Sequence, residues 1–294
     1  MKKQLFLFNE SEKLVRPVNV ASVPQRSLFR YPGGKTWLVP LFRRWITSLP
    51  KRPDVLVEPF AGGGIIGLTA AFEALADTVL LIELDERVAA VWITILNKDA
   101  DWLAKAILNF NLTYESALQI LNSNPSSIKE LAFQTIIRNR TAHGGILADG
   151  AGVIKVGENG KGILSRWYPK TLSTRINGIS HIAHRINFMQ GDAFYTLEEN
   201  KYIEEAAFFI DPPYTAGGKN AGSRLYTHSI INHDRLFAAC AELKGNFLMT
   251  YDNAQEVSIL AKKYDFQTKP VAMKNTHHAE MKELLISRDL SWLD

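Results

Sequence analysis

Short apolar runs alternate with amphipathic stretches in two blocks of this chain, and a long segment of different texture separates them. In the first block, "DVLVEPF" (54–60) is an apolar run of strand length, and "AGGGIIGLTAAFEALA" (61–76) reads as a glycine-rich turn opening a helix. The pattern repeats with "TVLLIELDE" (78–86) as strand and "RVAAVWITILN" (87–97) as helix. Ahead of them, "TWLVPLFRRWITSLP" (36–50) has helical spacing with Pro40 in its first turns. The preceding "LVRPVNVASVPQRSLFRYPGGK" is rich in Pro, Gly and Ser and reads as extended chain or loop. Apolar strands alternating with helices predict a parallel sheet covered by helices.

The alternation fades between 98 and 185. Helical spacing persists in "DWLAKAILNF", "YESALQIL" and "IKELAFQTIIRNR", then gives way to "HGGILADGAGVIKVGENGKGILSRWYPK". Within that irregular stretch, the period-two "GVIKVGENGKGIL" predicts a small hairpin around Asn159-Gly160. The α/β texture returns with "EEAAFFIDPPY", "HDRLFAACAELKG", "NFLMTYDN", "AQEVSILAKKY" and two closing strands near "FQTKPVAM" and "KELLISRD". The predicted organisation is one α/β domain, residues 1–97 and 186–294, interrupted by a mainly helical insertion at 98–185.

Composition sharpens this picture in one place. With 294 residues, 46% of them hydrophobic, the chain can bury a full core. The lone cysteine, Cys240, excludes an internal disulfide and suits a reducing compartment. "MKKQLFLFNE" lacks the longer apolar stretch and small-residue site of a signal peptide, and no apolar run has membrane-spanning length. The expectation is a soluble cytoplasmic protein. Net charge is only +4, but 129–185 holds nine Lys/Arg against Glu130, Asp149 and Glu158, which exceeds the excess of the whole chain. A basic module in an otherwise near-neutral protein suggests a polyanionic partner, the alternative being a solvated surface with scattered Lys and Arg.

"EPFAGGGIIG" places Gly62-x-Gly64-x-x-Gly67 between a strand and a helix, where glycine admits a ligand close to the backbone and the helix start offers free amides. Glu83, ending the next strand, is placed to accept hydrogen bonds from ribose hydroxyls, with Asp85 as its competitor. The pattern fits a nucleoside ligand without separating NAD from S-adenosylmethionine, and a tight turn needing glycine for packing alone is the other reading. "GGKT" at 33–36 is no phosphate loop, because Phe29 stands where that motif needs glycine and no apolar strand precedes it.

"FFIDPPYTAGG" (208–218) ends an apolar strand in an acid, two prolines and a tyrosine. At the carboxyl end of a parallel strand this turn faces the ligand crevice. Pro212 and Pro213 stiffen the backbone and remove two amide donors. What remains is an acceptor edge, the Asp211 carboxylate and the Pro212 carbonyl, beside the flat face of Tyr214. That edge suits a planar base with amino hydrogens, adenine or cytosine. Hydrogen bonds to those hydrogens would draw electron density onto a poorly nucleophilic exocyclic nitrogen, and a sulfonium methyl aligned behind it could then transfer directly. The base must leave the DNA stack, a cost of a few kcal/mol partly offset by stacking on the tyrosine at about 1–3 kcal/mol.

Together "RYPGGK" (30–35), "EPFAGGG" (58–64), "GD" (191–192), "DPPY" (211–214), "RNRTAHGG" (138–145) and "YTHSIINHDRL" resemble the DNA adenine-N6 methyltransferases of the Dam type, in the α-group motif order. The resemblance implies a Rossmann-like S-adenosyl-L-methionine-dependent sheet with an inserted DNA-recognition domain, and transfer of a methyl group to adenine N6 in double-stranded DNA by base flipping. It implies catalytic roles for Asp211, Pro212, Pro213 and Tyr214. Tyr31, Gly33, Lys35, Glu58, Phe60, Ala61, Gly62, Glu83, Asp192 and Asp211 become the candidate cofactor residues. Double-stranded DNA is the implied partner, and a cognate restriction endonuclease is a further candidate. "HGGILADGAGVIKVGENGKG" departs from the recognition hairpin of GATC-specific members, so the target sequence is open.

The basic insertion supplies the DNA candidates Arg138, Arg140, Arg166, Lys170 and Arg175, joined by Arg30 beside the first motif. Trp167 and Tyr168 are placed to intercalate or pack. "TAGGKNAGSRLY" reads as a loop closing over the flipped base, or as a plain surface connection. His143, His181 and His184 lack partners at metal spacing, so no metal is expected. A dehydrogenase would explain only the glycine turn. A silent DNA-binding module predicts a broken cofactor site. A cytosine-amino methyltransferase more usually begins its motif with Ser, and RNA or a glutamine amide would use related geometry.

Overall fold

The computed structural model describes residues 20–30, 34–148, 152–157, 160–213, 231–274 and 280–294. Seven strands form one sheet: β1 (Val55–Glu58), β2 (Thr78–Glu83), β3 (Ile186–Gln190), β4 (Ala206–Ile210), β5 (Asn246–Asp252), β6 (Gln267–Lys274) and β7 (Glu280–Ser287). Their order is β3-β2-β1-β4-β5-β7-β6, with β7 antiparallel between β5 and β6 and the rest of the ladder parallel. This is the Rossmann-like α/β sheet expected of a methyltransferase. Chain order reverses direction between β1 and β4, which pair with Val55 opposite Ala206. A crevice therefore opens beyond the carboxyl ends of β1 and β4, where such sheets bind ligands.

Neighbouring residues of each strand face opposite layers. Leu56, Leu81, Phe209, Leu248 and Leu285 join one core with α1 (Val39–Ser48), α2 (Ile65–Glu73) and α3 (Glu86–Ile95). Val57, Ile82, Phe208, Met249 and Ile286 join the other with α8 (Ala193–Asn200), α9 (His233–Glu242) and α10 (Gln255–Lys263). Burial on both faces is why β1 and β4 read as continuous apolar runs.

Between α3 and β3 the chain forms α4 (Ala100–Asn109), α5 (Tyr114–Leu121), α6 (Ile128–Thr141) and α7 (Pro169–His181). In chain order 98–185 is an insertion. In packing it is continuous with the sheet: α6 lies on α3, α7 lies on α4, and Leu103, Ile136 and Ile176 share the core of Leu56 and Trp92. The expected hairpin around Asn159-Gly160 is not what forms among the described residues there. Val153 makes only an isolated bridge to Ala142, the Gly162 N–H closes a loop onto the Val156 carbonyl at 2.7 Å, and Gly162–Arg166 is a 3-10 turn. No helix among the described residues is long and apolar enough to cross a membrane.

Candidate active site

Glu58 ends β1, and its buried Oε2 accepts the Gly67 N–H at 2.8 Å. Burial, together with nearby Asp211, pushes the Glu58 carboxyl well above its ordinary range. Packing requires glycine at two positions of this turn, Gly64 and Gly67. Gly64 has φ +59°, and a Cβ there would lie 2.6 Å from the Trp92 ring; one on Gly67 would lie 2.5 Å from Leu81 Cδ2 and 2.6 Å from Glu58 Oε2. Trp92 closes the arrangement by donating Nε1–H to the Gly62 carbonyl at 3.0 Å.

Glu83, at the end of β2, accepts the Gly62 N–H on Oε2 and the Asp85 N–H on Oε1, each at 2.9 Å. Asp85 instead caps α3 through the N–H groups of Arg87 and Val88. Burial pushes the Glu83 carboxyl up to about 7. When ionised, this carboxylate is acceptor-only, and clamped at the strand end it fits the hydroxyl donors of a nucleoside. Phe60 and Ala61 lie on the same turn, Phe60 partly buried and Ala61 buried. Asp192 sits at the end of the neighbouring strand β3, but it is exposed and its Oδ1 caps α8 by accepting the Phe194 N–H at 2.7 Å.

Asp211 follows β4 directly, with Pro212 buried and Pro213 partly exposed behind it. Its Oδ1 accepts the Thr250 hydroxyl at 2.7 Å and pairs with Lys35 Nζ at 3.1 Å. Lys35, only 3% exposed, also pairs with Glu283 Oε2 at 3.2 Å. Thus Lys35, Glu58 and Asp211 come together from residues far apart in sequence. Thr250, Glu283 and Trp92 escaped sequence reasoning. The available signal was a polar residue within an apolar run, "FLMTYD" for Thr250 and "KELLIS" for Glu283. Tyr31, Gly33, Tyr214 and the loop "TAGGKNAGSRLY" lie outside the described residues.

The basic candidates divide. Arg140 is 5% exposed and donates Nη2–H to the Leu28 carbonyl, while Arg175 donates to the Ser27 carbonyl at 2.7 Å. Arg140 thus pins the loop before the first motif to the insertion, which corrects the expectation that it faces DNA. Trp167, 9% exposed, packs edge-on against Phe110, so it belongs to the core and is no intercalator. Arg30 and Arg138 are partly exposed, as is Arg166, and Lys170 is exposed. Burial holds the Arg140 guanidinium down to about 10, with repulsion from Arg175, Arg30 and Arg166 adding to it. Among the described residues no group of three or more His, Cys, Asp or Glu is arranged to hold a metal.

A family model described as the D12 class N6 adenine-specific DNA methyltransferase matches residues 31–276. No curated protein sequence matches the chain. Similar solved structures include an rRNA methyltransferase from Streptomyces viridochromogenes, at 13% identity and TM-score 0.41 over 92% of this chain and 93% of that one. Another is the precorrin-6y C5,15-methyltransferase from Geobacter metallireducens, at 8% identity and TM-score 0.35 over 84% and 87%.

Proposed function

The chain belongs to the D12 class N6 adenine-specific DNA methyltransferase family, and from that premise we propose that the Asp211 turn is where adenine N6 is methylated. The family activity is transfer of a methyl group from S-adenosylmethionine to adenine N6 in DNA. The observation that carries the assignment is the 3.1 Å Lys35–Asp211 pair beyond β4, in the crevice beside the Glu58–Gly67 turn. When bound, the cofactor supplies a methyl on a positively charged sulfur, which keeps the carbon–sulfur electron pair as the methyl departs. Glu83 would hold the ribose hydroxyls, and the glycine turn with Phe60 and Ala61 would line the nucleoside. Asp211 and the Pro212 carbonyl accept the amino hydrogens of the flipped adenine. This draws density onto nitrogen and counters the positive charge that grows there, worth roughly 10²–10³ in rate for an interaction of this kind. The proton leaves nitrogen after the new bond forms, so no strong base is required.

Residues 98–185 are the proposed target-recognition segment. Arg30, Arg138, Arg166 and Lys170 reach phosphates or base edges, and Arg175 shares that role with its hold on Ser27. Supporting this for Arg30, Arg166 and Arg175 is their clustering: Arg166 repels Arg30, and all three repel the buried Arg140, a concentration of positive charge that an anion would relieve. A cytoplasmic location follows from DNA as substrate, and a restriction endonuclease cutting the unmethylated site is the proposed protein partner. The test is transfer of tritiated methyl from S-adenosylmethionine to unmethylated duplex DNA. The wild type should label DNA and Asp211→Ala should not, at unchanged circular dichroism; equal labelling by both would remove the assignment.

A further inference from the structure

Among the described residues Lys35 pairs with two acids, and one of them lies outside the proline-braced turn. Glu283 reaches Nζ with Oε2 at 3.2 Å and Oε1 at 3.5 Å, against 3.1 Å for Asp211 Oδ1. It comes from β7, in register with Asp252 of β5, and the next three residues, Leu284, Leu285 and Ile286, are buried core. Glu283 is itself 4% exposed. A carboxylate in such a place is costly, and an apolar side chain of similar volume would fill the position at lower cost. Fold alone therefore gives little reason for an acid here.

The ammonium supplies one. With a single carboxylate partner, a buried Lys35 would engage Asp211 fully and weaken it as an acceptor for amino hydrogens. Sharing the ammonium between two acids leaves the cluster with surplus negative charge. Thr250, fully buried on β5, meanwhile fixes the orientation of Asp211 through its 2.7 Å hydroxyl bond. We infer that Glu283 is a positioning residue for methyl transfer: it anchors Lys35 from behind, so that Asp211 keeps both its geometry and its acceptor strength toward the substrate amine. This rests on the reading of Asp211 given above.

The test is single-turnover methyl transfer to duplex DNA by wild type, Glu283→Gln, Lys35→Met and the double variant, with cofactor and DNA dissociation constants measured alongside. Glu283→Gln keeps volume and removes the charge. Its transfer rate should fall about tenfold or more, while both dissociation constants change less than about threefold. In the Lys35→Met background the same substitution should change the rate less than about twofold, because Glu283 acts through Lys35. A structural role would instead lower the rate by the same factor in both backgrounds, and that result overturns the inference. An unaffected Glu283→Gln enzyme beside an active wild type also overturns it, leaving the functional reading intact. A wild type that moves no methyl to DNA overturns both.

Discussion

Replacing Glu283 with glutamine should make the protein more stable at alkaline pH even as it slows the enzyme. Burial, opposed by Lys35 and reinforced by Asp211, lifts the Glu283 carboxyl from its ordinary 4.5 to about 7 in the folded chain. The folded state therefore holds a proton that the unfolded chain releases between those values. Stability is fully present below 4.5 and is lost as pH rises through about 7. At ~1.4 kcal/mol per pH unit, the gap corresponds to about 3 kcal/mol of lost stability by pH 8. Glutamine cannot ionise, so it escapes this loss. The variant and the wild type should unfold together near pH 4.5 and diverge steadily above it. By pH 8 the variant should melt roughly 6 °C higher, at about 2 °C per kcal/mol for a chain of this size. Melting curves by circular dichroism at half-unit intervals from pH 4.5 to 8.5 measure the difference, and comparing two variants cancels the parallel titration of Glu83. A difference constant with pH, or a wild type more stable at pH 8, would refute the electrostatic picture of the Lys35 cluster.

Gly67→Ala should destabilise the fold by about 1–3 kcal/mol, because its methyl group has to displace Leu81 and the Glu58 carboxylate; urea denaturation reads the change. Arg140→Met should lower the melting temperature while changing the salt dependence of DNA binding little, since the guanidinium is buried with its Nη2 on the Leu28 carbonyl. Arg166→Ala and Lys170→Ala should each weaken DNA binding at all sequences and reduce the slope of log K against log salt by roughly 1. Binding isotherms between 50 and 200 mM salt separate the two classes, and an unaltered slope would free Arg166 and Lys170 from phosphate contact.

What was legible in the sequence was whatever depends on neighbours in the chain. Apolar runs marked β1, β2, β4 and β5 because both faces of those strands are covered. The edge strand β3 went unread, since only Ile186 of its five residues is buried and "INFMQ" carries a weak apolar pattern. The Asp211 turn was legible through its stiff, donor-poor local chemistry. The role of Arg140 was not: its partner lies 112 residues away and is a backbone carbonyl, which no spacing rule reveals. Thr135, Asn139 and Arg140 of α6 are buried because α6 packs on α3 and α5 and its Asn139 holds the Arg30 backbone. Glu283 shows locally only as an acid ahead of the apolar "LLI"; the antiparallel insertion of β7 beside β5 is what brings it to Lys35.

The most direct measurement is mass spectrometry of the nucleosides released from DNA of methylation-free cells expressing either the wild type or Asp211→Asn. N6-methyladenine is expected in the first and none in the second, with both proteins folded and present at equal levels. Methylcytosine in place of methyladenine, or N6-methyladenine at equal abundance in both samples, would contradict it.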